Sequence, residues 1–168
     1  EFDYSGLTLE DMLKPYPNAD GILDGDSYTP VVTGADVKDA GNYTVGVEPD
    51  PNNSNYRFKE DAKTSADFKI NPVQIPQDEW EKVFTLTANA AEYNGQEQCP
   101  VVGTFATEAL NNECEIRFTD DSFNKNAGDY TATVEGIYNK ETGEKSPNFI
   151  LPEKPITKDY TIAKRLLE

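Results

Sequence analysis

The sequence predicts an all-β protein built from two small antiparallel sandwiches in tandem, and two observations carry that prediction. The first is alternation of apolar and polar residues with a period of two, the mark of a strand with one buried and one wet face. Cys114, Ile116 and Phe118 alternate with Glu115, Arg117 and Thr119, and Tyr43, Val45 and Val47 alternate with Asn42, Thr44 and Glu48. The second is that the chain repeats itself. Lys38-Asp39-Ala40-Gly41-Asn42-Tyr43-Thr44-Val45 returns as Lys125-Asn126-Ala127-Gly128-Asp129-Tyr130-Thr131-Ala132.

Other landmarks keep the same order. Tyr4-Ser5-Gly6 matches Tyr93-Asn94-Gly95, Asn55-Tyr56 matches Asn148-Phe149, and Asp67-Phe68-Lys69-Ile70 matches Asp159-Tyr160-Thr161-Ile162. The second copy trails the first by 89 residues at the opening tyrosine, 87 at the central glycine and 92 at the closing isoleucine. So small a drift means two copies of one domain with loops of different length, expected over 1–74 and 75–168. In a chain of 168 residues each copy can hold only a modest core.

Along the chain, Glu1-Phe2-Asp3-Tyr4 enters the first copy almost at its tyrosine landmark. The second copy is preceded by a full strand, Lys82–Ala88, with Phe84, Leu86 and Ala88 on one face, so the first copy reads as lacking its opening strand. Thr8–Lys14 is the one helical stretch: Thr8 can cap, Asp11 answers three residues later, and Pro15 ends the turn. It has no counterpart after Tyr93-Asn94-Gly95 and reads as a loop insertion. The tetrads Asp39–Asn42 and Asn126–Asp129 read as turns feeding strands, their glycines free to adopt positive φ. Each copy closes on a short strand, with Phe68 and Ile70 or Tyr160 and Ile162 on its apolar face.

Between the copies, Asn71–Glu79 reads as a linker kept extended by Pro72 and Pro76. Ile75 and Trp80 are expected to pack where the domains meet in an end-to-end arrangement, the alternative for Trp80 being an exposed ring awaiting a ligand. Ala163–Leu167 reads as the start of a further strand, or Leu167-Glu168 as a cloning remnant. Short strands divided by Gly, Asn and Asp clusters favour Ig-like sandwiches. A β-grasp layout, the alternative, requires a helix of two or more turns in both copies.

Composition narrows the partners. Asp and Glu total 31 against 15 Lys and Arg, a formal net charge of −16 that repels nucleic acid and anionic lipid. No apolar run is long enough to cross a bilayer and no basic-plus-apolar leader opens the chain, so membrane insertion is not expected and the chain reads as a mature or excised segment.

Chemistry is narrowed further by the absence of histidine, which removes histidine-dependent triads and imidazole metal ligands. With so many carboxylates, a pair at glycosidase spacing would arise by chance and carries little weight. No enzyme is expected, and no catalytic, cofactor or metal residues are assigned. Cys99 and Cys114 have two readings. A disulfide would close a loop of about 15 residues and contribute roughly 3 kcal/mol; two buried thiols would act as small hydrophobes. Asp20, Asp24 and Asp26, and again Asp120, Asp121 and Asn124, are oxygen-rich, but neither group follows the twelve-residue calcium loop, and solvated loops are expected. Tyr16, Tyr28 and Tyr138 fall in expected loops, where a ring either stacks on sugar or packs internally. Lys82 and Lys158 are the candidates for a covalent crosslink to Asn or Asp.

The ordered landmarks resemble the MBG and YDG-type repeats of large bacterial cell-surface proteins. Those repeats carry an early Tyr-(Asp/Asn)-Gly element, a central Asp-Ala-Gly-x-Tyr-x-(Val/Ala) element, a later Asn-Tyr and a closing Phe/Tyr-x-Ile strand. The second copy matches at Tyr93-Asn94-Gly95, Asn126–Ala132, Asn148-Phe149 and Tyr160-Thr161-Ile162, and the first at Asp39–Val45, Asn55-Tyr56 and Phe68-Lys69-Ile70. The resemblance implies an exported, extracellular module of the bacterial surface, a monomeric segment of a longer array that acts as stalk or adhesion scaffold. It also implies the alternative of a specific adhesin, with a host glycan, mucin or surface protein as partner. A carboxylate-dependent hydrolase is the remote alternative. No carbohydrate-contacting residue is carried over from the family.

Overall fold

The computed structural model describes residues 1–13 and 20–167, and its fold is all-β, with 39% strand and 11% helix. The chain divides into two compact units, Glu1–Val73 and Gln74–Glu168, one residue from the boundary expected from the repeat.

In the first unit, β1 (Phe2–Asp3) is followed by α1 (Leu9–Leu13), β2 (Val31–Thr33), β3 (Gly41–Glu48) and β4 (Ser65–Asn71). Thr8 caps α1: its Oγ1 accepts from Asp11 N–H at 3.1 Å and donates to Asp11 Oδ2 at 3.0 Å. Lys14, Pro15 and Tyr16 lie outside the described residues. The strands form one sheet in the order β1-β4-β3-β2. Antiparallel pairing sets Gly41 opposite Ile70 and Tyr43 opposite Phe68, while β1 runs parallel to β4 with Phe2 opposite Ile70. Leu9, Ala35, Val45 and Ile70 are buried on the inner face, with Met12, Leu13, Val32 and Phe68 packed partly against them.

The second unit opens within β5 (Val73–Gln74) and continues with β6 (Phe84–Ala88), β7 (Ala91–Glu92), β8 (Val101–Phe105), α2 (Glu108–Glu113), β9 (Cys114–Phe118), β10 (Gly128–Asn139), β11 (Phe149–Ile150) and β12 (Thr157–Ala163). Its main sheet has the order β7-β12-β10-β9, and β6 pairs with β8 in a separate sheet. Gly128 lies opposite Ile162, Tyr130 opposite Tyr160, and Ala91 runs parallel opposite Ile162. The pairing of β12 with β10 and β7 has the register of β4 with β3 and β1, whereas β9 is longer than β2 and meets β10 through a register shift. Phe84 and Leu86 from β6, Val101 and Phe105 from β8, and Ala132, Val134, Ile137, Tyr160 and Ile162 from the main sheet form a single core.

Three expectations are corrected. The helix α2 was not foreseen: Thr107 caps it weakly (Leu110 N–H to Oγ1, 3.4 Å), while Asn111 bonds both backbone groups of Phe105 at 2.8 and 2.9 Å and so closes off the end of β8. The expected linker is built into structure from Gln74 onward. Ile75 N–H donates to Ile150 O at 2.9 Å, and Gln74 Nε2 to the same oxygen at 3.2 Å, an edge pairing that prolines on either side permit. Tyr138 belongs to β10 rather than to a loop. A β-bulge between Val134 and Gly136 adds one residue, so Val134 and Ile137 both face the core and Tyr138 faces out.

Candidate functional site

The repeated landmark builds the same device twice. Tyr43 Oη donates to Asp39 O at 2.8 Å, and Tyr130 Oη to Asn126 O at 3.0 Å, each four residues back across the turn. The ring lies over the intervening glycine: a Cβ at Gly41 would sit 3.1 Å from Tyr43 Oη, and one at Gly128 3.2 Å from Tyr130 Oη. Across the sheet, Thr44 Oγ1 donates to Asp67 Oδ1 at 2.7 Å, and Thr131 to Asp159 at 2.6 Å. The second unit adds Thr161 to Asp129 at 2.6 Å. Such cross-strand pairs fix register on the wet face. The landmark is therefore architectural.

The outer face of β9 and β10 carries an aromatic ring set among charged side chains. The Arg117 guanidinium lies 4.3 Å from the centroid of the Tyr138 ring, and the Lys145 ammonium 6.0 Å away. Arg117 pairs with Glu115 at 2.6 Å and Lys145 with Glu135 at 3.5 Å. A hydrogen bond to the Glu135 carboxylate is the main reason that the Tyr138 hydroxyl is raised above the ordinary tyrosine range, with desolvation and the charge of Glu135 adding to it and Arg117 opposing. Gly136 makes this compactness possible, since a Cβ there would meet Lys145 Cε at 2.7 Å. The patch offers an aromatic ring and paired charges to a polar ligand. Its charges are paired with one another.

The other candidates are placed as follows. Tyr28 packs edge-on against Tyr56 and Phe58, with centroids 5.6 and 6.4 Å away, so its ring serves the loop cluster. Tyr56 Oη donates to Asp26 Oδ2 at 2.5 Å and accepts from Leu23 N–H at 3.1 Å, tying down the Asp20–Asp26 loop. In the second acidic stretch, Thr119 donates to Asp121 at 2.5 Å, and Asn124 Nδ2 donates to Tyr160 Oη at 3.0 Å. Among the described residues, no group of three or more Cys, Asp or Glu is placed to hold a metal ion. Lys82, in the turn before β6, pairs with Glu79 at 2.7 Å, and Lys158 is exposed on β12.

Ile75 and Trp80, expected at the junction, pack in the core of the second unit. Ile75 is fully buried there, and the Trp80 ring lies 5.3 Å from Phe84. Of the two readings of the cysteines, the structure carries the unbridged one, with Cys99 and Cys114 both free. Gln98 O, next to Cys99, accepts from Tyr160 Oη at 3.3 Å, and Tyr160 lies opposite Tyr130 near the start of β10. Cys114 lies opposite Asn139, at the far end of the same strand. Several residues of strand therefore lie between them, whereas a bridge needs Cα atoms within about 7 Å.

Compared with protein-family models, with curated proteins and with solved structures, the chain matches none. Among the described residues, no helix is long and apolar enough to cross a membrane.

Proposed function

We propose that the chain is a non-enzymatic, extracellular scaffold module of a bacterial surface protein, made of two Ig-like units that belong to a longer array and transmit tension. The observation that carries this reading is the parallel pairing of the first strand of each main sheet with its last. Force applied along such neighbours loads their hydrogen bonds together, as shear, instead of one at a time. Tyr4 N–H to Asn71 O and Tyr93 N–H to Ala163 O, both 2.9 Å, extend the two clamps in the same way. For the second unit, the Ig-like assignment is supported by the separate β6–β8 sheet and by the tyrosine at the start of β10 that bonds to the backbone upstream. A β-grasp layout is disfavoured because α1 and α2 have five and six residues, under two turns.

Single-molecule stretching of the full chain tests the reading. Both units are expected to give resolved unfolding events, and Tyr93→Pro, which removes the donor to Ala163, is expected to lower the force of one. Extension without resolved events would reject the stalk role.

A second reading, a module that binds a glycan or a surface protein, is favoured by the Tyr138 and Arg117 patch. Glycan-array binding that disappears in Tyr138→Ala, with folding intact, would promote it.

A further inference from the structure

We infer that Asn94-Gly95 is a self-modification site: the Gly95 nitrogen attacks the Asn94 side-chain amide, ammonia leaves, and water opens the resulting cyclic imide to aspartate or isoaspartate. Asn-Gly occurs once in the sequence, where the first unit has Ser5-Gly6. The two glycines share a left-handed conformation, with φ at +81° for Gly95 and +78° for Gly6, and a Cβ at either would meet no atom within 4 Å. A serine side chain holds no carbonyl carbon to attack, so the first unit's copy of the turn is inert.

The folded turn arranges the reacting groups. Gln96 N–H donates to Asn94 Oδ1 at 2.8 Å, which folds the side chain forward over the Asn94–Gly95 peptide, and Gln98 Nε2 donates to the same oxygen at 3.4 Å. As the Gly95 nitrogen bonds to Asn94 Cγ, Oδ1 becomes an oxyanion, and both donors are already aimed at it. No described residue accepts a hydrogen bond from Gly95 N–H, so the nitrogen gives up no partner when it loses its proton. With no Cβ on Gly95 its approach is open, and Asn94 is exposed to the water that the second step consumes. Asn53 and Asn139 hold the same kind of turn, accepting from Asn55 N–H at 3.1 Å and Glu141 N–H at 2.9 Å. They are followed by Ser54 and Lys140, whose Cβ atoms hinder the attack.

The imide opens in two ways. Breaking its bond to Cγ gives aspartate, which keeps the chain path and an oxygen for Gln96 N–H. Breaking its bond to the Asn94 carbonyl carbon gives isoaspartate and routes the main chain through Cβ, one methylene longer. That methylene enters between two anchors: Tyr93 N–H to Ala163 O at 2.9 Å, and the exchange of both backbone bonds between Gln98 and Asn124 at 3.0 Å. The isoaspartyl form therefore weakens the second unit and leaves the first untouched.

Ageing of the full chain at neutral and mildly alkaline pH, followed by peptide mapping, tests the site. Exchange of the amide for a hydroxyl is expected at Asn94, in two chromatographically distinct products and faster as pH rises. Its rate should lie within about tenfold of that of the free peptide of residues 91–98, because the fold presents the reactive geometry instead of withholding it. Asn94→Asp supplies the aspartyl reference, and aged protein that carries isoaspartate is expected to unfold at lower urea than this variant, followed by Trp80 fluorescence. The proposal is overturned if the folded chain converts more than about tenfold slower than the peptide. It is also overturned if Asn53 or Asn139 converts as fast as Asn94, or if the urea midpoint of the isoaspartyl protein equals that of Asn94→Asp.

Discussion

Tyr160 donates its phenolic hydrogen to Ser122 O at 2.5 Å, a contact the first unit cannot make because Phe68 stands at the same register position. The same hydroxyl reaches Gln98 O at 3.3 Å and accepts from Asn124 Nδ2 at 3.0 Å, so one oxygen joins the stretches before β8, after β9 and within β12. Ser122 is fully buried, and its Oγ in turn accepts from Thr133 N–H at 2.8 Å. This polar node sits at one end of the apolar core.

Tyr160→Phe is expected to destabilise the second unit by about 1–3 kcal/mol, because it leaves buried partners unsatisfied while keeping the ring. The one tryptophan of the chain, Trp80, packs in that unit and reports on it alone. Urea unfolding followed by its fluorescence measures the loss; a change below about 0.5 kcal/mol would contradict the role assigned to the node.

Alkaline pH is expected to unfold the protein earlier than its exposed tyrosines alone would cause. Burial, the largest cause in each case, raises the Tyr43 and Tyr160 hydroxyls above 10.0. For an acid raised in the folded state, the stabilisation is fully present below the unfolded value and is lost as pH rises through the folded one. Thermal midpoints should therefore stay level up to about pH 9.5 and fall beyond 10, in step with tyrosinate absorbance. Tyr160→Phe should flatten the fall for the second unit.

Gly103→Ala is expected to cost about 1–3 kcal/mol, although β8 is otherwise a good strand. A Cβ at Gly103 would sit 2.3 Å from Ile116 Cγ1 and 2.6 Å from its Cβ, so the two sheets approach closely over this glycine. Combining it with Ile116→Ala should recover part of the loss, and a coupling of 0.5 kcal/mol or more in the double-mutant cycle is the measurement that checks it.

Thiol titration of protein purified without reductant is expected to find two reactive groups after denaturation and slow reaction before it. Burial raises the Cys99 thiol above 9.0, and Cys114 is buried in the core out of the reagent's reach. An intact mass lower by two hydrogens would show a bridge and refute the separation along β10.

Much of the strand content was legible because period-two alternation is a local property. Phe84 and Leu86, Tyr43 and Val45, and Tyr160 and Ile162 announced their shared faces, and the glycine-x-tyrosine turns announced where strands begin. Tyr138 was misplaced because the bulge before Gly136 shifts parity by one residue, and alternation alone does not reveal an inserted residue. The choice between the two readings of the cysteines was not legible, because a gap of fifteen residues in sequence conceals a helix and a change of sheet between them.

By itself the sequence determined the β-rich character and much of the alternation along the strands, since these depend on residues within a few positions of one another. Tertiary structure alone decided that Ala91 lies beside Ile162, that Ile75 enters the core of the second unit, and that Ile116 closes over Gly103. Those contacts join residues far apart in the chain, and alternation is equally compatible with many choices of neighbour. Only the burial of all apolar faces at once selects among them.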